Sequence, residues 1–342
     1  MKIYINGSSS VSPYQVSVPS KTLTEHDTLS GDRLRCIEPD YDTILEPSQI
    51  RRMSRILKMG MATSARAIKQ AENPKIDAII TGTGYGCLED TARFLLKMVD
   101  PDDRGMNPTS FIQATYNTVS SLIALGLKNN SYNNTFVHSG FSFESALDDA
   151  IMLLKTGEAE NVLAGGIDEL TTEVYDLLKR LQVARIRTTK KELSLRPSKT
   201  YRFGEGSSFF ILSDKPFAIN PVEITNFSIL YKPDREQMIS DFEKYVSNDI
   251  TELFLLGKNN EETNDESYNW ITELTGKKKC FNYKNLCGDY PTASSFGLWL
   301  ATCILSGSGN PTIPVGKIDS ILIYNCFEKN YHAFISLRRY RK

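Results

Sequence analysis

Short apolar runs and helical stripes alternate along the first part of the chain. IDAIITGTGYG, from Ile76 to Gly86, indicates a buried strand that runs into a glycine-rich loop. From Phe143 to Leu154 the apolar residues recur at helical spacing, and Gly157 is the predicted end of that helix. NVLAGG, from Asn161 to Gly166, is typical of a second buried strand. These segments predict strands that alternate with helices.

Three further segments extend this pattern through the first half. An apolar stripe at helical spacing runs from Ile50 to Gln70 and is introduced by Pro47 and Ser48. Asn134 to Val137 indicates a short strand, and SSFFILS, from Ser207 to Ser213, indicates the strand that closes this half.

The second half repeats the alternation. VEITNFSIL, TELFLLG and the segment from Ile318 to Tyr324 are strand-like, whereas Glu236 to Val246 and Ser294 to Leu305 are helical. The pattern favours α/β layering with mostly parallel sheets covered by helices, built from two similar halves. The predicted halves are residues 1–215 and 216–342, and the last arginines are expected to form an exposed tail.

The composition limits which binding partners and catalytic groups are expected, but it adds little about the fold. The 342 residues carry a net charge of −1, which gives no electrostatic reason to expect binding to nucleic acid or an acidic membrane. The chain has three histidines, His26, His138 and His332. Few positions can therefore provide an imidazole base or a histidine ligand to a metal. No apolar run is long enough for a signal peptide or a membrane span.

The six cysteines are scattered, without a CxxC motif. Such thiols in a chain without a signal peptide predict a cytoplasmic protein without disulfides, and neither a metal nor a cofactor is expected. GTGYG lacks the third glycine of a dinucleotide loop, so a tight turn is the favoured interpretation. Residues 179–202 hold nine basic side chains and one acid, which fits either an acidic partner or a solvated loop.

HSGFSFESAL, residues 138–147, lies where a predicted strand turns into the start of a buried helix. Backbone N–H groups and the helix dipole stabilise a thiolate at such a turn, so nucleophilic cysteines are often found there. In this chain the turn residue is Gly140.

Two segments that follow resemble the β-ketoacyl synthases, the condensing enzymes of the thiolase superfamily. TGEAENVLAGGIDE resembles the strand after the nucleophile helix, and RPSKTYRFGEGSSFFIL resembles the family's "RPFD…GEGAG" segment. RRMSRILKMGMATSARAIKQA resembles an early family helix, and the similarity spans roughly residues 45 to 327. It implies a thiolase-like layered α-β-α-β-α fold. Retained family positions are Gly165, Gly166, Gly204, Glu205, Gly206, Lys284, Gly288 and Asn325.

The resemblance implies a cysteine that carries the acyl chain and two histidines that assist condensation. Counting back from Gly157 places the nucleophile position at Gly140. The two histidine positions are occupied by Leu256 and Asp289, so no catalytic residue is expected. The C-terminal glycine loop of the family is reduced to NCFEKN, which keeps Asn325 and Phe327.

Substitute nucleophiles have weaker support. Ser139 and Ser142 would need an adjacent base, and His138 and Ser139 should point to opposite faces of a strand. Cys287 lies close to Asp289, but a thiol without a base is more often a small buried hydrophobic residue.

A chain of this family that lacks all three catalytic groups resembles the chain-length factors. Those proteins are inactive and dimerise with an active ketosynthase. The family dimerises through the strand at Asn134 to Val137, and Phe111, Gln113, Tyr116 and Phe327 would line the substrate tunnel or the partner's pocket. Acyl-carrier protein is a further expected partner, and the pathway would be of the fatty-acid, polyketide or aryl-polyene type. Two alternatives remain open: an active 3-oxoacyl synthase with displaced catalytic residues, and a homodimeric acyl-binding scaffold.

Overall fold

The computed structural model of the chain describes residues 2–14, 31–51, 53–100, 108–189, 202–247, 251–259, 262–276, 278–307 and 318–341. Within these residues the strands are β1 (Ile3–Val11), β2 (Ala78–Gly82), β3 (Tyr132–Phe136), β4 (Asn161–Asp168), β5 (Gly206–Ser213), β6 (Val222–Tyr231), β7 (Leu253–Leu256), β8 (Lys279–Asn282), β9 (Ser320–Phe327) and β10 (Tyr331–Arg339). The helices are α1 (Pro47–Ile50), α2 (Arg55–Gln70), α3 (Leu88–Val99), α4 (Pro108–Gln113), α5 (Thr118–Gly126), α6 (Ser142–Thr156), α7 (Thr172–Thr189), α8 (Arg235–Ser247), α9 (Glu262–Thr275), α10 (Lys284–Cys287) and α11 (Ala293–Ser306).

The two halves have the same strand order. The first half is arranged β3-β2-β4-β5-β1 and the second β8-β7-β9-β10-β6, so each half follows the order 3-2-4-5-1 counted from its own first strand. In each half the second strand is parallel to its two neighbours and the fifth is antiparallel to its own. A short antiparallel contact between β1 and β6 joins the halves into one sheet. The prediction of two similar α/β halves is confirmed.

The expectation of mostly parallel pairing is wrong, because five of the nine strand pairings are antiparallel. A run of apolar residues indicates a buried strand but does not give its direction. In addition, β1 and β10 were not identified as strands from the sequence. The predicted division between residues 215 and 216 lies in the connection from β5 to β6. That each half is a separate domain stays a prediction.

Helices α6 and α11 lie between the two half-sheets. Their apolar residues, among them Leu147 and Leu300, share one buried cluster with β2, β4, β7 and β9. Helix α2 packs on the outer face of the first half, and α8 and α9 cover the outer face of the second. The result is the predicted α-β-α-β-α layering, with α11 buried almost along its whole length.

Two local predictions need correction. The helix predicted from Ile50 to Gln70 is divided into α1 and α2, and Ser54 immediately precedes α2. Arg338 and Arg339 belong to β10 rather than to an exposed tail, because they pair with Glu223 and Asp319 at 3.2 and 3.0 Å. The alternation of apolar residues before them was the missed signal for this strand.

All six cysteines are free thiols. In the part of the chain that the structure describes, no helix has the length and apolar character needed to cross a membrane.

Candidate functional site

Gly140 lies where the sequence predicts it, in the turn that starts the helix between the two sheets. A single turn of 3-10 helix, Ser139–Phe141, leads directly into α6. A Cβ atom built on Gly140 would lie 2.3 Å from Cδ2 and 2.6 Å from Cε2 of Phe327. These distances are far below van der Waals contact. The phenyl ring therefore fills the space that a nucleophilic side chain would enter.

The tight hairpin between β9 and β10 holds Phe327 in this place. The Asn330 N–H donates to the Phe327 carbonyl at 3.2 Å, and Glu328 and Lys329 both have positive φ values, +50° and +57°. Positive φ at both central residues is the geometry of a tight hairpin turn. This short turn stands where the resemblance implies a longer glycine-rich loop.

An apolar residue, Leu256, occupies the position where the resemblance implies the first histidine. Leu256 is the last residue of β7 and is buried in the cluster beneath α8 and α9. A Cβ atom on the next residue, Gly257, would lie 2.3 Å from the Tyr283 hydroxyl and 2.6 Å from Asn325 Oδ1. No imidazole replaces the missing one here.

Asp289 occupies the position where the resemblance implies the second histidine, and its carboxylate is held in an ion pair. Lys284 Nζ lies 2.6 Å from Asp289 Oδ1, and both side chains are mostly buried. Asn259 also donates to Asp289 Oδ2 at 3.3 Å. Lys284 therefore neutralises the carboxylate of Asp289, at the position where the resemblance implies a histidine.

The candidate serine nucleophiles are not paired with a base. Ser142 Oγ donates to main-chain carbonyl oxygens, including that of Thr83 at 3.0 Å. The His138 ring instead places Nδ1 3.4 Å from Ser145 Oγ and contacts the ring of Tyr331. His138 is therefore an exposed residue of the turn whose ring contacts Phe141 and Tyr331.

The remaining candidates are buried and inert. Cys287 has no exposed surface, and burial raises the pKa of its thiol far above the usual range. His332 Nδ1 lies 2.8 Å from the Tyr324 hydroxyl and Nε2 lies 3.0 Å from the Lys329 carbonyl oxygen. Burial lowers the pKa of His332. His26 lies outside the described residues.

Glu205, a retained family residue, holds together the start of α2 and two loops. Its carboxylate accepts two hydrogen bonds from Arg55, both at 2.7 Å. It also accepts the main-chain N–H groups of Cys36 at 2.9 Å and Leu170 at 3.0 Å. Its role in this chain is structural.

The retained glycines lie at close backbone approaches. A Cβ on Gly204 would lie 2.0 Å from the Cys287 carbonyl oxygen, next to Gly288, whose φ is +76°. Further Cβ atoms would meet Phe209 at Gly165, Ser295 and Thr292 at Gly166, and Tyr290 at Gly206. The AGG and GEG motifs thus remain explicable by packing, without any catalytic role.

Asp168 is a residue that the sequence analysis did not single out. Its carboxylate accepts five hydrogen bonds: three on Oδ1, from the Thr83 hydroxyl and the N–H groups of Gly84 and Tyr85, and two on Oδ2, from the N–H and hydroxyl of Thr292. Burial raises its pKa to about 6, although these bonds favour the ionised form. The signal in the sequence was an acidic residue at the end of a buried strand, since Asp168 is the last residue of β4. Asp168 joins the GTGYG turn of the first half to the start of α11 in the second.

Phe111, Gln113 and Tyr116 lie on α4 and in the turn after it, whereas Phe327 lies at Gly140. Phe111 and Tyr116 are 58% and 49% exposed, so they are surface residues in the single chain. Tyr116 covers Gly86 in the GTGYG segment, and Gly86 has a φ of +65°. We define the α3–α4 surface by its exposed apolar side chains: Leu95, Leu96, Met98, Val99, Phe111, Ile112 and Tyr116.

The strand β3 forms an open edge of the sheet, since β2 is its one neighbour among the described strands. A polar cleft of about 700 Å³ lies beside it, between α5 and β3, and includes Asn117, Ser121 and Asn134. In the basic stretch, Lys179 pairs with Asp32 at 2.6 Å, and residues 190–201 lie outside the described residues. Within the described ranges no group of three potential metal ligands is found.

The duplicated half-sheets and the helix-start turn define a thiolase-like condensing fold. The family model of the β-ketoacyl synthase N-terminal domain matches residues 10–218, so the chain belongs to the β-ketoacyl synthase family. Comparison with curated proteins gives no significant match.

Three solved structures share the fold over nearly the whole chain. A chain of the AntDE:AntF complex, a type II polyketide synthase acyl-carrier protein with its ketosynthase bound to the hexaketide, gives a TM-score of 0.75 at 16% identity and covers 99% of both chains. The ishigamide ketosynthase/chain length factor gives 0.73 at 15% identity over 100% of both. The ketosynthase ApeO with its chain length factor ApeC from Xenorhabdus doucetiae gives 0.72 at 13% identity, covering 99% of this chain and 98% of the other. At these identities the likeness establishes the shared fold.

Proposed function

We propose that the chain is a non-catalytic subunit of the chain-length-factor type, which pairs with an active ketosynthase in fatty-acid, polyketide or aryl-polyene biosynthesis. The observation that carries the proposal is the Phe327 ring in the space beside Gly140. Without a thiolate no acyl-enzyme forms, and Leu256 and Asp289 supply no imidazole. The similar structures, which include ketosynthases with their chain length factors, support the same assignment.

The partner would bind the open edge of β3 together with the α3–α4 surface. An unpaired strand edge offers free backbone donors and acceptors, and contiguous exposed apolar side chains mark protein interfaces. Tyr132 on β3 and Val137 just after it are also exposed, which extends the apolar area along the edge. We propose acyl-carrier protein as a second partner and the cytoplasm as the location, in keeping with the six free thiols.

Phe111→Asp is expected to weaken the complex with the ketosynthase at least tenfold, because a carboxylate would be buried in an apolar contact. The chain is co-expressed with candidate ketosynthases, and the mass of the purified complex shows whether the pair forms. Titration then measures the dissociation constant of the complex. Ile219→Asp is the matched control, since Ile219 is 82% exposed in the connection between the halves. Equal dissociation constants for both variants would exclude this surface as the interface.

Smaller side chains at Phe111 and Tyr116 are expected to lengthen the products of the assembled pair. The aromatic rings would limit the depth of the partner's pocket, and Phe111→Ala, Gln113→Ala and Tyr116→Ala would extend it. Mass spectrometry of the released acyl chains measures the shift. Leu177→Ala, an exposed position on α7, is the control. Products of unchanged length would refute the tunnel role of these residues.

The same experiments separate the two alternatives. A stable homodimer that joins no ketosynthase and supports no condensation would favour the acyl-binding scaffold. Condensation by the isolated chain would favour an active synthase with displaced residues.

A further inference from the structure

Glu144 is a carboxyl group with no exposed surface in the layer between the two half-sheets. It lies on α6, about one helical turn after Gly140, and its relative exposure is 0%. Asn325 on β9 donates through Nδ2 to Glu144 Oε1 at 2.7 Å. The hydroxyl of Ser294 on α11 is the second polar group that favours the ionised form. The carboxyl therefore faces both strands and helices of the second half.

Among the described residues no lysine, arginine or histidine lies within 4.0 Å of Glu144. Lys284 is the cation whose charge acts on it, and Lys284 Nζ pairs with Asp289 at 2.6 Å. Tyr283 and Tyr268 are the other titratable groups of this cluster, and burial raises their pKa values well above the usual range, so both stay neutral.

An ionised carboxylate in these surroundings is costly. Burial removes its hydration, and one amide donor with a nearby hydroxyl does not replace that hydration or a paired cation. Burial raises the pKa of Glu144, and the contacts with Ser294, Asn325 and Lys284 oppose this only in part.

We propose that Glu144 is a proton-binding site of the folded chain, which makes the contact between α6 and the second half sensitive to pH. Over a range of pH above the ordinary pKa of 4.5, the folded chain keeps Glu144 as a neutral carboxylic acid. Asn325 lies two residues before Phe327 on the same strand, so a change in the charge of Glu144 acts on the strand that places the ring at Gly140. Proton binding by Glu144 is a property of the isolated chain and requires no ketosynthase partner.

The sign of the effect follows from proton binding. The unfolded chain loses the Glu144 proton near the ordinary pKa of 4.5, whereas the folded chain keeps it to higher pH. The folded state then binds more protons than the unfolded state, so stability falls as pH rises. The loss stops once the pH passes the folded-state pKa. Asp168 and Glu169, whose pKa values burial raises to about 6 and about 7, act in the same direction. A comparison with Glu144→Gln therefore isolates Glu144.

Urea unfolding of the wild type and of Glu144→Gln from about pH 4.5 to about pH 8 tests the proposal. We expect the ratio of the two unfolding constants, wild type over variant, to rise about tenfold per pH unit up to the folded-state pKa. A ratio that stays constant over this range would overturn the proposal. Glu144→Met replaces the first variant if the glutamine chain does not fold.

Infrared difference spectra at about pH 5, just above the ordinary pKa of 4.5, provide a direct second readout. The spectrum of the wild type minus that of Glu144→Gln should contain the carbonyl band of a protonated carboxylic acid. Appearance of carboxylate bands in its place would show an ionised Glu144 and would overturn the proposal.

Discussion

Gly140→Ala is expected to destabilise the chain by about 2 to 3 kcal/mol, although alanine is ordinarily tolerated in a helical turn. The added methyl group would meet the Phe327 ring at 2.3 Å, so the hairpin between β9 and β10 must shift. In a Phe327→Ala background the same substitution should cost less than about 0.5 kcal/mol, because the obstacle is gone. Urea unfolding of the two single variants and the double variant measures this coupling.

Gly126→Ala provides the matched control for this cycle. Its Cβ would meet only the flexible end of Met61, at 3.1 Å, so a change of less than about 0.5 kcal/mol is expected. An equal cost of Gly140→Ala with and without Phe327 would show that the ring does not occupy the nucleophile's space. Gly140→Cys should likewise fail to restore a reactive thiol while Phe327 is present.

Asp168→Asn is expected to cost about 3 kcal/mol or more, the largest loss of stability among the single substitutions considered. Each carboxylate oxygen of Asp168 accepts at least two hydrogen bonds. In asparagine an NH2 group replaces one of these oxygens, so its N–H donors would face the N–H and O–H donors of the surrounding residues. The GTGYG turn and the start of α11 would lose their common acceptor. Urea unfolding at neutral pH measures the loss.

The control for the aspartate is Asp176→Asn on α7, an exposed position that should change the free energy of unfolding by less than about 0.5 kcal/mol. Similar stabilities of the Asp168 and Asp176 variants would contradict the structural role assigned to Asp168.

Local patterns in the sequence predicted most of the elements that form this fold. Helix α6 ends at Gly157, which has a φ of +77°, and Gly140 lies in the turn that precedes this helix. Periodicity and a helix-end glycine are local signals, so they can be recognised without knowledge of the tertiary structure. Strand direction depends on distant partners, so local patterns do not give it, and the nine-residue strands β1 and β10 were also missed.

The resemblance predicts that the three catalytic groups are missing, but it does not predict which side chains surround their positions. The resemblance located Gly140, Leu256 and Asp289, but the ring of Phe327 and the Glu144–Asn325 hydrogen bond join parts of the chain that are far apart. Glu144 and Asn325 are 181 positions apart, and Asp168 and Thr292 are 124 apart. No local pattern reveals such contacts. The buried acids and the filled nucleophile space therefore emerge only from the folded chain.

Condensation activity with acyl-carrier-protein substrates tests the central claim most directly. The assay compares the purified chain alone, the chain with an intact ketosynthase, and the chain with a ketosynthase whose catalytic cysteine is replaced. We expect no product from the chain alone, product from the intact pair, and none once the partner's cysteine is lost. Condensation by the isolated chain would contradict the assignment of a non-catalytic subunit.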